Sequence, residues 1–305
     1  MILCCGEALI DMLHRETKAG EDGFAPHAGG AIFNTAIALG RLGVSTGYFS
    51  GLSTDLFGQI LTRALAASNV DISLAPRSDR PTTLAFVTLT NGQATYAFYD
   101  ENTAGRMLTP EDLPVLPDNI EALFFGGISL VNDPAASSLA LFQQRAGGRV
   151  TMIDPNIRPS FITDQATYRE RINKMLARAD IVKISDEDLH WLEGAGDPQA
   201  LAQNLLARGA KLVFLTEGAA GARAITATQN RFVAANPAKV ADTVGAGDTF
   251  NAGALAALHD AGALSKTAIA ALPDSTLDAA LSLGNRAAAV TVSRPGANPP
   301  WRHEL

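Results

Sequence analysis

Short β-branched or aromatic runs alternate with longer stretches of helical periodicity along most of the chain, and no other feature constrains the fold as strongly. The runs are ILCC near residue 2, GYFSG near 47, ALFFGG near 122, VTMID near 150, DIVKIS near 180 and KLVFLT near 211. The patterns near 31–42, 54–67, 134–146, 166–177, 198–208 and 247–260 predict helices between them. A strand that is apolar throughout must be covered on both faces. A helix between successive strands carries the chain back to the same end, so the alternation predicts a parallel sheet with helices on both sides.

Residues 82–99, TTLAFVTLTNGQATYAFY, break the rhythm. Two strand-like runs meet at Asn91-Gly92, a pair that favours a type I′ hairpin turn, so this section is an antiparallel insert and not a second domain. Beside the carboxyl ends of a parallel sheet such a hairpin could cover a ligand crevice, but a surface hairpin or a contact between subunits would have the same pattern. Tyr96 and Phe98 alternate with Ala97 and Tyr99, which suits either an apolar lid face or sheet packing. Pro110, Pro114 and Pro117 mark the return to the main sheet, and Pro295, Pro299 and Pro300 an irregular end.

Composition narrows the function classes. The 305 residues are 47% apolar and 18% charged, with no block of like charge, as expected of a chain that is globular throughout. A net charge of -7 and the lack of a Lys/Arg stripe argue against nucleic acid as a partner. No apolar run approaches the roughly 20 residues of a membrane span. The opening MILCCGEALIDML lacks a basic start and is interrupted by Gly6, Glu7 and Asp11, so it does not read as a signal peptide. Cys4 and Cys5 are neighbours that could bridge only under strain; as reduced core residues they point to a reducing compartment, hence the cytoplasm. Five dispersed histidines offer neither a zinc site nor a nucleophilic triad.

The chemistry concentrates in ADTVGAGDTF, residues 241–250. Gly245 and Gly247 can take backbone conformations closed to other residues, so that successive N–H groups point into one concavity. The helical pattern that follows puts those groups at the positive end of a helix, where an anion such as phosphate is favoured. Asp248 would repel that anion unless its charge has a task. It can be a general base for a substrate hydroxyl, or it can simply cap the helix. No lysine follows a glycine, which excludes a G-x-x-x-x-G-K loop, and the third glycine of a dinucleotide fingerprint is missing.

Asp242 to Asp248, DTVGAGD, resembles the C-terminal signature D-T-x-G-A-G-D of the ribokinase-like (PfkB) sugar kinases. Gly29, Gly30, Asn34, Ala36, Leu39 and Gly43 in GGAIFNTAIALGRLG match the other signature of that family, and GEALID, the hairpin, DPNIRP at 154–159 and VSRPGA fall where the family places them. The resemblance implies a single domain over 1–305, a three-layer α/β/α sandwich with a mostly parallel central sheet and a small β lid built from about 12–27 and 81–104. It implies transfer of the γ-phosphate of ATP, with magnesium, to a hydroxymethyl group of a sugar or nucleoside. RPTTLAFV, AFYDENTA and DPNIRP are most similar to the fructokinases, implying D-fructose to fructose 6-phosphate. 2-Keto-3-deoxygluconate kinases share the pattern, including the arginine after Asp-Pro-Asn. A nucleoside kinase would need a larger apolar pocket, and an idle sugar-binding protein is opposed by the intact Asp248 and glycines.

The resemblance also assigns roles. Asp248 is the base, and Gly245, Ala246 and Gly247 form the anion hole. Asp11, Gly29, Gly30 and Asn34 contact the sugar, with Phe98 on the lid and Arg158 as a further sugar or phosphate contact. Lys183, Ser185, Thr216, Gly218, Gly221 and Asn285 are assigned to the nucleotide. Ser185 and Asp188 stand where many members carry N-x-x-E, so Asp188 is the candidate for water-mediated magnesium. Asp242 and the Val244 carbonyl are candidates for a monovalent cation, potassium. An exposed lid edge offers a place for two subunits to pair as a homodimer.

Overall fold

A computed structural model describes residues 1–90 and 93–305, and at 87–90 and 93–96 the backbone alone. From the N-terminus, Ile2–Cys5 (β1), Leu9–Glu16 (β2) and Asp22–Gly29 (β3) precede a helix, Ala31–Arg41 (α1). Thr46–Phe49 (β4), Leu52–Ser53 (β5), Leu56–Ala67 (α2), Val70–Asp71 (β6) and Arg77–Ser78 (β7) lead into Thr83–Thr90 (β8) and Gln93–Tyr99 (β9). Next come Ala122–Gly126 (β10), Ala135–Gln144 (α3), Val150–Asp154 (β11), Gln165–Leu176 (α4), Ile181–Ser185 (β12), Asp186–Glu193 (α5), Pro198–Arg208 (α6) and Leu212–Thr216 (β13). Gly221–Ile225 (β14), Asn230–Ala234 (β15), Ala246–Asp260 (α7), Lys266–Ile269 (α8) and Asp274–Val292 (α9) complete the order.

The large sheet runs β15-β14-β13-β12-β11-β10-β1-β4-β6. From β13 to β6 every neighbour is parallel, and all six apolar runs of the sequence lie in this part. Along β1, Ile2 and Cys4 enter one apolar cluster while Leu3 and Cys5 enter another. β10 and β11 divide in the same way, with Phe124 and Met152 on one side and Phe125 and Ile153 on the other. Helices α1, α2, α7 and α9 supply the first cluster, and α3, α4, α5 and α6 the second. This is the expected three-layer α/β/α sandwich. Cys4 and Cys5 are buried and unbridged, and burial pushes both thiols up. Among the described residues no helix is long and apolar enough to cross a membrane.

Two antiparallel strands, β14 and β15, extend one edge. The sequence pattern did not single them out, because NRFVA alternates between exposed and half-buried positions and GARAI has a charged Arg223 and a single β-branched residue.

The smaller sheet has the order β3-β2-β8-β9. β2 pairs antiparallel with β3 and parallel with β8, and β8 pairs antiparallel with β9. The antiparallel insert therefore exists, joined to residues 9–29 as one sheet. The Asn91-Gly92 turn and the side chain of Tyr96 lie outside the described residues. The core under this sheet consists of Leu9, Ala85 and Ile128, with Phe98 and Phe161 packed against them.

Candidate active site

Parallel strands deliver their carboxyl ends to one rim. The segments that leave that rim, with the smaller sheet facing them, enclose a cavity of about 700 Å³. Glu7 follows β1, Ile128 follows β10, Asn156 and Arg158 follow β11, Ser185 ends β12 and Thr216 ends β13; all line it.

The start of α7 forms part of the cavity wall. Gly245 is its first turn's entry residue in a left-handed conformation, φ 80°, where any other residue would be strained. The Ala246 N–H turns onto the Thr243 carbonyl at 3.3 Å, while the first N–H groups of a helix otherwise lack intrahelical partners and face the rim. Gly245, Ala246, Gly247 and Asp248 all line the cavity. Asp248 is 7% exposed, and its Oδ2 accepts a hydrogen bond of 2.9 Å from Asn34 Nδ2. The Thr35 hydroxyl donates to the Asp248 main-chain oxygen at 3.2 Å. Burial pushes the Asp248 carboxyl up to about 6; the Asn34 bond pulls it back, the Asp154 charge adds to the rise, and Lys183 and Arg158 oppose it.

Beneath the glycines lies a buried charge pair. Lys183 Nζ contacts Asp154 Oδ2 at 3.0 Å, with the two side chains 4% and 1% exposed. Asn251 Nδ2 donates to the same oxygen at 2.8 Å, and Asn251 Oδ1 is buried without a partner among the described residues. A methyl group built on Gly247 would sit 3.1 Å from Lys183 Nζ, so the ammonium lies against the glycine turn. Asp154 thus fixes a positive charge where an anion would be bound.

Most of the sugar-assigned residues share this cavity, and one of them, Asn34, is the partner of Asp248. Asp11, Gly30, Asn34, Phe98 and Arg158 line the cavity; Gly29 does not, but lies behind Asp11, whose Oδ2 occupies the space a methyl there would take. Burial pushes the Asp11 carboxyl up to about 6. The Phe98 ring meets Phe161 edge-on with centroids 4.8 Å apart. Arg158 is exposed, and one guanidinium nitrogen donates to the Ile157 carbonyl at 3.0 Å.

Thr216, Gly218, Gly221, Ser185, Asp188 and Asn285 line the remaining wall. Two of them also do structural work. Ser185 caps α5 by accepting from the Asp188 N–H at 3.0 Å, and Asn285 ties α9 to β15 through the Val233 and Ala234 carbonyls. Burial, then the nearby Asp154 charge, pushes the Asp188 carboxyl up to about 6, with Lys183 opposing. Val244 lines the cavity while Asp242 stands behind it, accepting from the Val244 N–H at 3.0 Å and the Gly296 N–H at 2.9 Å.

The structure adds Glu7, Asp154, Asn156 and Asn251, to which sequence reasoning gave no place in the site. A signal was present for two: Glu7 and Asp154 are acidic residues at or just past the carboxyl ends of largely apolar strands, the rim where parallel sheets bind ligands.

A family model for pfkB family carbohydrate kinases matches residues 1–304. The chain is 56% identical over 278 residues to a fructokinase of Rhizobium leguminosarum bv. trifolii, covering 91% of this chain and 85% of that protein. The crystal structure of the Xylella fastidiosa fructokinase with bound ATP superposes with a TM-score of 0.88 at 29% identity, covering 97% of this chain and 93% of that one. The fructokinase of Vibrio cholerae O395, bound to fructose, ADP and calcium, gives 0.84 at 25% identity over 97% of this chain and 94% of that one.

Proposed function

The chain belongs to the pfkB family of carbohydrate kinases and is a phosphotransferase with an alcohol acceptor, and from that premise we propose that it phosphorylates D-fructose with ATP, using Asp248 as the base. One observation carries the assignment of the base. The Asp248 carboxylate stands between the sugar-assigned wall and the glycine turn, held by Asn34 on one side with Lys183 behind the turn. The Rhizobium likeness favours fructose over other sugars.

In the reaction the 6-hydroxyl oxygen forms a bond to the γ-phosphorus as the bond to the β-phosphate oxygen breaks. The hydroxyl proton goes to Asp248 and ADP leaves. The transition state is loose and anionic, so most acceleration comes from position and charge. The turn at Gly245, Ala246 and Gly247 holds the transferred group with main-chain N–H donors, and Lys183 adds a fixed positive charge. Asp11 and Asn34 bind sugar hydroxyls with Gly30 allowing close approach, while Phe98 brings an apolar surface from the smaller sheet, which acts as the lid. Ser185, Thr216, Gly218, Gly221 and Asn285 line the part of the cavity assigned to the nucleotide.

Magnesium suits the Asp188 position. Its carboxylate is on the cavity wall, raised by burial and by Asp154, a state that a divalent cation bound through water relieves. Bound with ATP, magnesium would neutralise phosphate charge. A monovalent cation such as potassium is proposed beside Asp242 and the Val244 carbonyl. Two free, buried cysteines suit the reducing cytoplasm. The lid's outward aromatics, Phe24 and Tyr99, are 41% and 62% exposed, which supports a homodimer through this sheet.

One feature favours a second substrate. Arg158 on the cavity wall would pair with the carboxylate of a sugar acid such as 2-keto-3-deoxygluconate. ATP consumption by the purified protein with magnesium, with and without potassium, against fructose, 2-keto-3-deoxygluconate, ribose and adenosine decides between them. Turnover with fructose alone is expected; turnover with the acid alone would transfer the assignment to it, and turnover with adenosine would overturn the sugar reading.

A further inference from the structure

Glu7 lines the cavity but has no part in the reaction as written, and the chain is built around it with unusual care. It is 8% exposed, and burial pushes its carboxyl up to about 7, opposed by hydrogen bonds from Ser129 and the Ala31 N–H. Its two oxygens serve two segments. Oε1 accepts from the Ala31 N–H at 2.9 Å and Oε2 from the Ser129 N–H at 3.3 Å. Helix α1 starts behind Gly30, which has no side chain to cap it, so the first N–H of the helix is satisfied by a carboxylate from the end of β1. Two left-handed glycines make room for this contact. A methyl on Gly30, φ 109°, would come 2.8 Å from the Glu7 main-chain oxygen, and one on Gly127, φ 66°, would overlap the carboxylate itself.

The capped turn leads directly to the base. Asn34, one turn along α1, donates to Asp248 Oδ2, and Thr35 donates to the Asp248 main chain. Buried apolar packing from Ile32 to Leu39 fixes the axis of α1, but it is non-directional and leaves the setting of the first turn to hydrogen bonds. Reaction geometry is sensitive to displacements of about 1 Å. We propose that Glu7 is a positioning residue: by holding the first turn of α1 it sets Asn34, and through Asn34 the orientation of the Asp248 carboxylate. The proposal rests on Asp248 being the base.

A double-mutant cycle on the full-length enzyme tests it, using the sugar selected by the substrate panel. Glu7→Gln keeps the side chain's volume but presents an NH₂ group to one of its two N–H partners. Loss of such a buried hydrogen bond should lower kcat by about tenfold, with KM for ATP changed by less than about twofold. In an Asn34→Ala background the same substitution should cost no more than about twofold, because the path to Asp248 is already cut. Should Glu7→Gln fold poorly, Gly127→Ala displaces the carboxylate from the other side and should show the same non-additivity. Losses that multiply in the double variant, or wild-type kcat in Glu7→Gln, would overturn the proposal. Asp248→Asn is run alongside: if it retains turnover within about tenfold of wild type, the base reading fails, whatever the cycle shows.

Discussion

The two sheets of this protein bury their residues differently. In the large sheet, successive residues of β1, β10 and β11 enter apolar clusters on opposite faces, and every residue of these strands is buried. The smaller sheet has a small apolar cluster of its own, Leu9, Ala85 and Ile128, and gives Ile10, with Met12, Ala28 and Leu84 partly buried, to the first core cluster, while its edge strand β3 is largely exposed. The site divides along the same line. Asp154, Lys183, Asn251 and Asp248 belong to the large sheet and its helices, whereas Asp11 and Phe98 stand on the smaller one. The groups proposed to set the rate belong to the part of the molecule with the largest apolar clusters. Two of the groups assigned to the sugar, Asp11 and Phe98, are carried by an element with less apolar area to hold it, and so with a lower cost of local opening.

This division predicts that substitutions on the large-sheet side change turnover or global stability, and those on the smaller sheet change sugar binding. The strongest effect is expected from Asp248→Asn, which should lower kcat by roughly 10³-fold in a protein that remains folded. Single-turnover kinetics with a thermal melt would check it, and a variant that is inactive because it is unfolded would break the comparison.

Lys183→Met comes next. Among the described residues it leaves buried Asp154 with Asn251 and the Asn156 N–H as donors, so stability should fall by about 3–5 kcal/mol in denaturant titration. A loss below about 1 kcal/mol would mean that the pair is not what organises this face.

The third expectation concerns pH. The Asp248 carboxyl lies at about 6 in the folded chain against 3.8 for the ordinary group. Its contribution to stability is therefore fully present below about pH 4 and is lost as pH rises through about 6. Asp248→Asn abolishes this loss, so at pH 8 the variant should be more stable than wild type by on the order of 1–3 kcal/mol, with the gap closing towards pH 4. A gap independent of pH would assign the difference to some other cause. The base must be ionised to act, so kcat/KM of the wild type should rise through the same region.

The smallest effect belongs to Phe98→Ala on the lid. It should raise KM for the sugar by about fivefold with little change in melting temperature, since the ring packs against the small cluster with Phe161 and not in the two large ones. A melting temperature that falls as far as for Lys183→Met would show that the two sheets are equally coupled to the core and would remove the distinction.

Much of the architecture was legible beforehand. Each of the six apolar runs is a strand of the parallel region, because a strand covered on both faces can hold few polar residues and so stands out in the sequence. The start of α7 was legible for a similar local reason: Gly245 occupies a left-handed position that few residues other than glycine adopt readily, and Asp248 follows in the helix's first turn. β15, by contrast, has a half-exposed alternation that resembles many loops. Ser185 and Asn285 show the converse difficulty, since the residue types suit both a ligand contact and the cap or tie that they make here.

The sequence by itself determined the alternation of the parallel strands with most of their helices, and the glycine turn with Asp248 after it. These follow from local periodicity and from backbone conformations that depend on residues close together in the chain. Only the tertiary structure decided that Glu7 caps a helix 24 residues away, that Asn34 and Asp248, 214 residues apart, share a hydrogen bond, and that Asp154, Lys183 and Asn251 meet beneath the turn. A carboxylate or amide has the same appearance in the sequence whether it faces water or a buried partner. Its ionisation and its role are set by neighbours brought in from distant segments, and burial of the large sheet's two apolar faces is what brings them together.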